Sequence, residues 1–324
     1  MSQYNYSELA KKFETYLQAH QPGGSPDSLY APMRYINDLG GKRIRPVLLL
    51  MAYNLWHEDI TPALPAAMAV EYFHNFSLMH DDIMDEAPLR RGHESVHYKF
   101  GRNAAILSGD GMLIKCFELL LEAGIINNKG ASLCAIMSQA AITICEGQQM
   151  DMDLEHTDSP SEQEYLEMIR RKTACLIGTS LQIGGELAGA DRGACKSLYQ
   201  TGESMGMGFQ IQDDLLDVFG NENKTGKQRG GDILRGKKNY LFVHTYNSLP
   251  ENQKQDFLAA YHKASENGNI TSIVELYKKS AVSENTDRLQ KDFFNHGLQT
   301  LSDLNSVDGS ILKSFVQDIF ERDH

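Results

Sequence analysis

The stretch from Met68 to Met84 places the first limit on what this chain can fold into. Its apolar residues Met68, Val70, Phe73, Phe76, Leu78, Met79 and Ile83 recur at mixed three- and four-residue steps, with others between them. A segment apolar on most sides belongs to a helix inside a bundle. GDGMLIKCFELLLEAGII, ASLCAIMSQAAITICEGQQMDM and KTACLIGTSLQIGGELAGA read the same way, whereas alternating β-branched runs are almost absent. Turn signals at HQPGGSPDS, NNKG, EHTDSPSEQ, GNENKTGKQRGGD and NSLPENQ leave roughly ten or more helices. There is no solenoid repeat and no linker long enough to divide the chain. The expectation is a single all-α domain over residues 1–324.

That first helix ends in charge. DDIMDEAPLRRG, residues 81–92, sets Asp81, Asp82 and Asp85 within five residues and follows them with Arg90 and Arg91. Pro88 restricts the residue before it and cannot extend the hydrogen-bond ladder, so the helix is predicted to end near Glu86 or Ala87. The carboxylates then lie in the last turn, where the helix dipole adds negative potential and only a cation is welcome. A lone DDxxD is as often a solvated surface stretch. Here a second copy, DDLLD, holds Asp213, Asp214 and Asp217 at the end of another apolar segment. In each copy two carboxylates four apart share one helical face.

Carboxylate oxygens are hard ligands suited to Mg²⁺, which keeps several waters and bridges to phosphates. The chain has no HExxH or Cys/His cluster for zinc, and neither acidic segment has EF-hand spacing. Two such patches facing across a bundle would clamp several Mg²⁺ ions around one polyanion. Basic residues complete that picture. LGGKRIRP gives Lys42, Arg43 and Arg45 beside a Gly-Gly turn, where bases and free N–H groups can hold a phosphate. RRKTACLIG offers Lys172 and Thr173 in a predicted helix, and NKTGKQRGGDILRGKKNY offers Lys224, Lys227, Lys237 and Lys238. Any one of these bases alone is a solvated surface group. Together, beside the acidic clusters, they suggest a diphosphate site.

Net charge is 31 − 43 = −12, which argues against a nucleic-acid partner. Five cysteines without a CxxC pair read as thiols of a reducing compartment. No signal peptide and no run of 18 apolar residues is apparent, so the expectation is a cytoplasmic protein with no membrane span.

The motifs as a set resemble the trans-isoprenyl diphosphate synthases, or polyprenyl synthetases. The match runs in order through GGKRIRP (40–46), EYFHNFSLMHDDIMDEAPLRRG (71–92), GQQMD (147–151), KTA (172–174), GFQIQDDLLD (208–217), TGK (225–227) and DILRGKKNYL (232–241). The resemblance implies an all-α bundle around a central cavity and a homodimer. It also implies Mg²⁺-dependent, head-to-tail condensation of isopentenyl diphosphate with an allylic diphosphate (dimethylallyl, geranyl or farnesyl), releasing pyrophosphate. Asp81, Asp85 and Asp213 would ligate three Mg²⁺ ions on the allylic diphosphate, with Asp82, Asp214, Asp217 and Asp232 as outer-shell or water-mediated ligands. Arg90, Lys172 and Lys227, with Lys237 nearby, would complete that site. Lys42, Arg45, His74 and Arg91 would hold isopentenyl diphosphate, and Gln210 and Thr173 would turn partial negative charge toward an allylic cation. Taken singly, Gln210 reads as a buried amide and His74 as a satisfied core histidine.

Product length would be set below Asp81, where Phe76 lies roughly 7–8 Å and Phe73 roughly 12 Å down the helix. Phe76 beside the small Ser77 resembles synthases of the C20 product, with C15 next; simple core packing of Phe76 is the other reading. The first cluster lacks the two extra residues that many bacterial short-chain members carry, and the chain ends FERDH where some members have a basic tail. A terpene cyclase and a non-catalytic partner subunit share the scaffold. The second full DDxxD and GGKRIRP weigh against the first, and two intact acidic clusters weigh against the second.

Overall fold

The computed structural model describes residues 3–220, 229–304 and 307–321. The all-α expectation holds. By contact the chain groups into two units, each drawn from three stretches: Met1–Gln139, Thr179–Tyr199 and Leu301–Asp318 in the first, Ala140–Gly178, Gln200–Thr300 and Ile319–His324 in the second. Among the described residues no helix is long and apolar enough to cross a membrane.

In the first unit, α1 (Tyr6–Ala19), α2 (Asp27–Asp38), α3 (Ile44–Asn54), α5 (Val96–Phe100) and α6 (Arg102–Ala123) accompany α4 (Leu64–Met84). Every α4 residue from Ala66 to Phe73 is buried, as its all-round apolar sequence requires, and α4 packs on α1, α3, α5 and α6. A capping box between Asn5 and Glu8 opens α1, which buries Leu9, Phe13 and Leu17 on one stripe.

The α4 helix stops at Met84, earlier than Pro88 alone predicted. Asp85 caps it, Glu86 turns left-handed at φ 48°, and the Ala87 N–H donates to the Asp82 carbonyl at 2.9 Å. That is a Schellman closure with glutamate where glycine is usual. The chain then makes a two-residue ribbon, β1 (Leu89–Arg90) against β2 (His93–Glu94). Its turn residues Arg91 and Gly92 both have positive φ, 54° and 79°, the requirement of a type I′ hairpin.

The second unit takes α7 (Gly130–Glu155) from Ala140 on, α8 (Glu162–Ile169) and α10 (Arg192–Phe219) from Gln200 on; α9 (Cys175–Ala188) begins in it and belongs to the first unit from Thr179. It continues with α11 (Gly231–Leu234), α12 (Tyr240–Ser248), α13 (Glu251–Asn267), α14 (Thr271–Lys279) and α15 (Val282–Ser302); α16 spans Ser310–Glu321. Its core joins Met168, Ile211, Leu215 and Ile233 to the rings of Phe242, Phe257 and Tyr261, the last pair of centroids being 6.1 Å apart.

The junction of α8 and α9 is not the plain helix the sequence suggested. Residues Arg170–Ala174 form a π-helical turn, a rare widening that is frequent at functional sites. It abuts α7 so closely that a Cβ on Gly147 would come within 2.3 Å of the Lys172 nitrogen. Gly147 therefore has to be glycine for the bulge to fit.

Candidate active site

In the first unit, acid and base meet at the end of α4. Asp82 is buried and takes the Arg90 guanidinium, with Nε donating to its two oxygens at 3.0 and 3.2 Å and Nη2 closing the fork. Burial raises the Asp82 carboxyl pKa, and its hydrogen bond from Arg90 opposes that rise. The neighbouring Asp81 stays part-exposed, 3.8 Å from the same guanidinium, and the helix-capping Asp85 is part-exposed as well. Asp81 and Asp85 can meet an ion in solvent, whereas Asp82 is engaged in holding Arg90.

The basic side of this unit is the turn before α3. Arg45 directs Nη1 to His74 Nε2 at 3.2 Å. A guanidinium only donates, so this imidazole nitrogen accepts and the proton sits on Nδ1. Burial, then Arg45, Arg91, Arg90 and Arg43, hold His74 well below its ordinary pKa, and it is neutral. Burial, with Arg91 nearby, pulls the Arg45 guanidinium down to about 10, still charged at neutral pH. Its Nε is buried with no hydrogen-bond partner. An orphaned cationic donor of that kind suits a phosphate oxygen. Arg91 packs over Gly41, where a Cβ would sit 2.7 Å from its Cζ, and Lys42 is exposed beside it.

Arg43 departs from the expectation for this turn. It is buried, bonded to Glu71 at 2.5 Å, to Glu14 at 3.1 Å and to the Asn37 carbonyl at 2.6 Å, and so cannot serve a ligand.

Below Asp81 the rings of Phe73, Phe76 and His80 form an edge-to-face ladder, with centroids 5.5 and 4.8 Å apart. Ser77 folds its hydroxyl onto the His74 carbonyl at 2.8 Å and leaves its side of the helix narrow.

In the second unit a polar cleft of about 160 Å³ is lined by Asp151, Tyr165, Lys172, Thr173, Gln210, Asp213, Asp214, Asp232 and Lys237, among others. Arg170 and Arg171 pin the π turn from outside through Glu167, Glu203 and Glu146, and the hydrogen bond from Arg170, then that from Arg171, draw the Glu167 carboxyl down to about 2. Lys172 is thereby turned into the cleft, where Nζ lies 2.5 Å from Asp151. Thr173 donates to Gln210 Oε1 at 3.2 Å, and Gln210 Nε2 donates to Asp214 at 3.1 Å. This orients the amide with a carbonyl lone pair to spare.

The buried Asp214 also accepts from the Tyr165 hydroxyl and, at 3.0 Å, from the Tyr240 N–H. Burial, and Asp232 next to it, push its carboxyl up to about 8. Asp213 beside it is part-exposed. Asp217 is buried, accepts the Asp232 N–H at 3.2 Å and is not among the cleft residues. Asp232 is held by Arg235 at 2.7 Å and Asn239 at 3.1 Å. Lys238, a candidate base from sequence, instead caps the carbonyls of Glu155 and Thr157 at 2.9 and 2.7 Å. Lys224 and Lys227 lie outside the described residues.

Sequence reasoning passed over Asp151, Tyr165, Tyr240 and Glu71. Asp151 had a signal, standing one turn after Gly147 in GQQMD; Tyr240 and Glu71, each in an apolar run, and Tyr165, in an ordinary amphipathic stretch, had none.

No group of three or more His, Cys, Asp or Glu among the described residues could cage a metal by itself. Mg²⁺ does not need one, because it is held by one or two carboxylates plus phosphate oxygens and water. In the first unit the part-exposed Asp81 and Asp85 stand near Arg90, and in the second the part-exposed Asp213 shares a cleft with Lys172 and Lys237; each is a carboxylate of the kind Mg²⁺ uses.

A family model described as polyprenyl synthetase matches residues 26–277. A short chain isoprenyl diphosphate synthase of Methanocaldococcus jannaschii is 40% identical over 255 residues, 78% of this chain and 77% of that one. A geranylgeranyl pyrophosphate synthase of Geoglobus acetivorans is 43% identical over 236 residues, 73% of this chain and 72% of that one. Among solved structures, a geranylgeranyl pyrophosphate synthetase from Pyrococcus horikoshii superposes with a TM-score of 0.89 at 32% identity, covering 98% of each chain.

Proposed function

The chain belongs to the polyprenyl synthetase family, a family of prenyltransferases, and on that premise we propose that it joins isopentenyl diphosphate head to tail to an allylic diphosphate, releasing pyrophosphate. The product is an all-trans short-chain prenyl diphosphate of C15–C20, with C20 favoured. The observation that carries the reading is a repeated pattern: each DDxxD cluster buries its middle carboxylate and leaves its first, Asp81 or Asp213, part-exposed.

Mg²⁺, three ions in this proposal, would supply charge neutralisation and electrophilic pull on the departing pyrophosphate, held through Asp81, Asp85 and Asp213. Asp82, Asp214, Asp217 and Asp232 would act behind them. Arg90, Lys172 and Lys237, joined by Lys227, add fixed positive charge where the leaving group develops negative charge. Thr173 and Gln210 present oxygen lone pairs toward an allylic cation. Lys42, Arg45 and Arg91 would hold isopentenyl diphosphate, with His74 orienting Arg45. No nucleophilic serine or cysteine is called for, and the proton that the isopentenyl unit loses as its double bond re-forms goes to pyrophosphate.

The interleaving of the two units along the sequence supports one catalytic domain. A homodimer belongs to the proposal too, supported by Leu107, Ile114 and Leu121, which recur every seven residues on α6 and are 61, 62 and 53% exposed. Light scattering should give twice the chain mass, and Ile114→Asp should halve it. Five free cysteines support a cytoplasmic setting.

Chromatography of the products tests the reading. The parent chain should stop at C15–C20, and Phe76→Ala should extend products beyond C20 by removing bulk beneath Asp81. Products of C30 or longer from the parent would defeat the short-chain assignment, and an unchanged distribution in the variant would remove Phe76 as the stop.

A further inference from the structure

The turn that carries Lys42 and Arg45 is held in an unfavourable shape. Gly40 and Gly41 have φ of 74° and 133°, and Arg43 follows at φ 49°, ψ 35°, the left-handed region that non-glycine residues avoid. Such a conformation persists only where its surroundings over-determine it. From the inside the Arg43 guanidinium does this through Glu14, Glu71 and the Asn37 carbonyl. From the outside a different group acts on the same turn. The Tyr6 hydroxyl, from the first residue of α1, donates to the Lys42 carbonyl.

Tyr6 is itself fixed from the far end of the sequence. Its ring stacks on Phe315 of α16 with centroids 4.6 Å apart and planes 12° from parallel. Phe315 is 7% exposed, so the stack is anchored on a buried ring. Gln3 adds a second tie by donating to the Asp308 carbonyl, just before α16, at 2.6 Å. A continuous path therefore runs from α16 through Phe315 and Tyr6 to the main chain of Lys42, all within the first unit.

We propose that Tyr6 is a positioning residue for isopentenyl diphosphate, and that α16 sets it in place through Phe315. The inference rests on the reading above that Lys42 and Arg45 hold that substrate. Losing the Tyr6 hydroxyl frees the Lys42 carbonyl and lets the turn relax, which moves Lys42 relative to Arg45. The cost falls on binding of the isopentenyl substrate. The allylic substrate, assigned to the acidic clusters, is untouched.

Steady-state kinetics of Tyr6→Phe, which keeps the stack and removes only the hydroxyl, decides the matter. The KM for isopentenyl diphosphate should rise about fivefold, the size of one net hydrogen bond. The kcat and the allylic KM should stay at parent values. Phe315→Ala should raise the same KM, Phe315→Tyr should restore it, and the Tyr6→Phe/Phe315→Ala double variant should be no worse than the worse single. An unmoved isopentenyl KM in Tyr6→Phe, or an equal rise in both KM values, overturns the inference even if Phe315→Ala fails to fold. A parent chain that condenses nothing would instead sink the functional reading on which the inference stands.

Discussion

The two acidic clusters share a five-residue pattern, yet they solve the same electrostatic problem by different means. At the end of α4, the buried Asp82 is neutralised by a full charge, the Arg90 guanidinium. In α10 the buried Asp214 meets, among the described residues, neutral donors: the Tyr165 hydroxyl, the Tyr240 N–H and the Gln210 amide. The consequence is visible in acidity. Burial, then Asp232, push Asp214 up to about 8 against the pull of its three donors, whereas at Asp82 burial is opposed by both the hydrogen bond and the charge of Arg90. The two DDxxD clusters therefore share a part-exposed first carboxylate and a buried second one, and leave the support of the buried one to whatever the fold supplies.

The largest effects fall on what the two clusters share. Asp81→Ala and Asp213→Ala should each lower kcat by on the order of a hundredfold or more, because each removes charge control from the departing pyrophosphate. Both variants should keep the parent's helical circular dichroism, since deleting a carboxylate from a like-charged cluster relieves repulsion. Near-normal turnover in either would end the assignment of that cluster to the reaction.

Smaller effects fall where the clusters differ. Arg90→Met strands Asp82 as an unpaired buried anion and should cost about 2–3 kcal/mol, discounted from a fully buried pair because Arg90 is 28% exposed. Tyr165→Phe removes one neutral donor among several from Asp214 and should cost about 1 kcal/mol. Urea unfolding of the metal-free chain measures both. Equal losses would erase the distinction between charged and neutral support.

The smallest effect concerns His74, in the cationic part of the first unit. Burial and the surrounding guanidinium groups hold its folded pKa below the unfolded value of about 6.5. The unfolded chain takes up a proton that the folded chain refuses, so this residue's share of stability is lost as pH falls below about 6.5. The melting temperature should drop less between pH 6.5 and 5 for His74→Gln than for the parent. Superimposable pH slopes would show that His74 charges freely in the fold.

Much of this was legible in the sequence, for identifiable reasons. The periodicity of Met68–Met84 announced α4, whereas the shared face expected of Asp213 and Asp217 is not seen, Asp217 being buried away from the cleft that Asp213 lines. The end of α4 came at Met84, ahead of the predicted Glu86 or Ala87, because Glu86 accepted the left-handed conformation that glycine usually signals. The π turn at Arg170–Ala174 was hidden because RRKTA has ordinary helix formers, and the turn lies against Gly147, distant in sequence. Arg43 looked interchangeable with Lys42 and Arg45; its inward turn depends on Glu14 and Glu71, distant in sequence. Tyr165 and Tyr240 gave no sign of serving Asp214, because a tyrosine on the apolar side of a helix reads as core and Asp214 is distant in sequence.

The central claim is that both diphosphates are consumed in one Mg²⁺-dependent transfer. Pyrophosphate release by the purified chain, followed with each substrate alone and with both together, addresses it most directly. The account predicts one pyrophosphate per isopentenyl diphosphate consumed, none from either substrate alone, and none after chelation of the metal. Release from the allylic diphosphate alone, with a hydrocarbon product, or undiminished release in the presence of chelator, would contradict it.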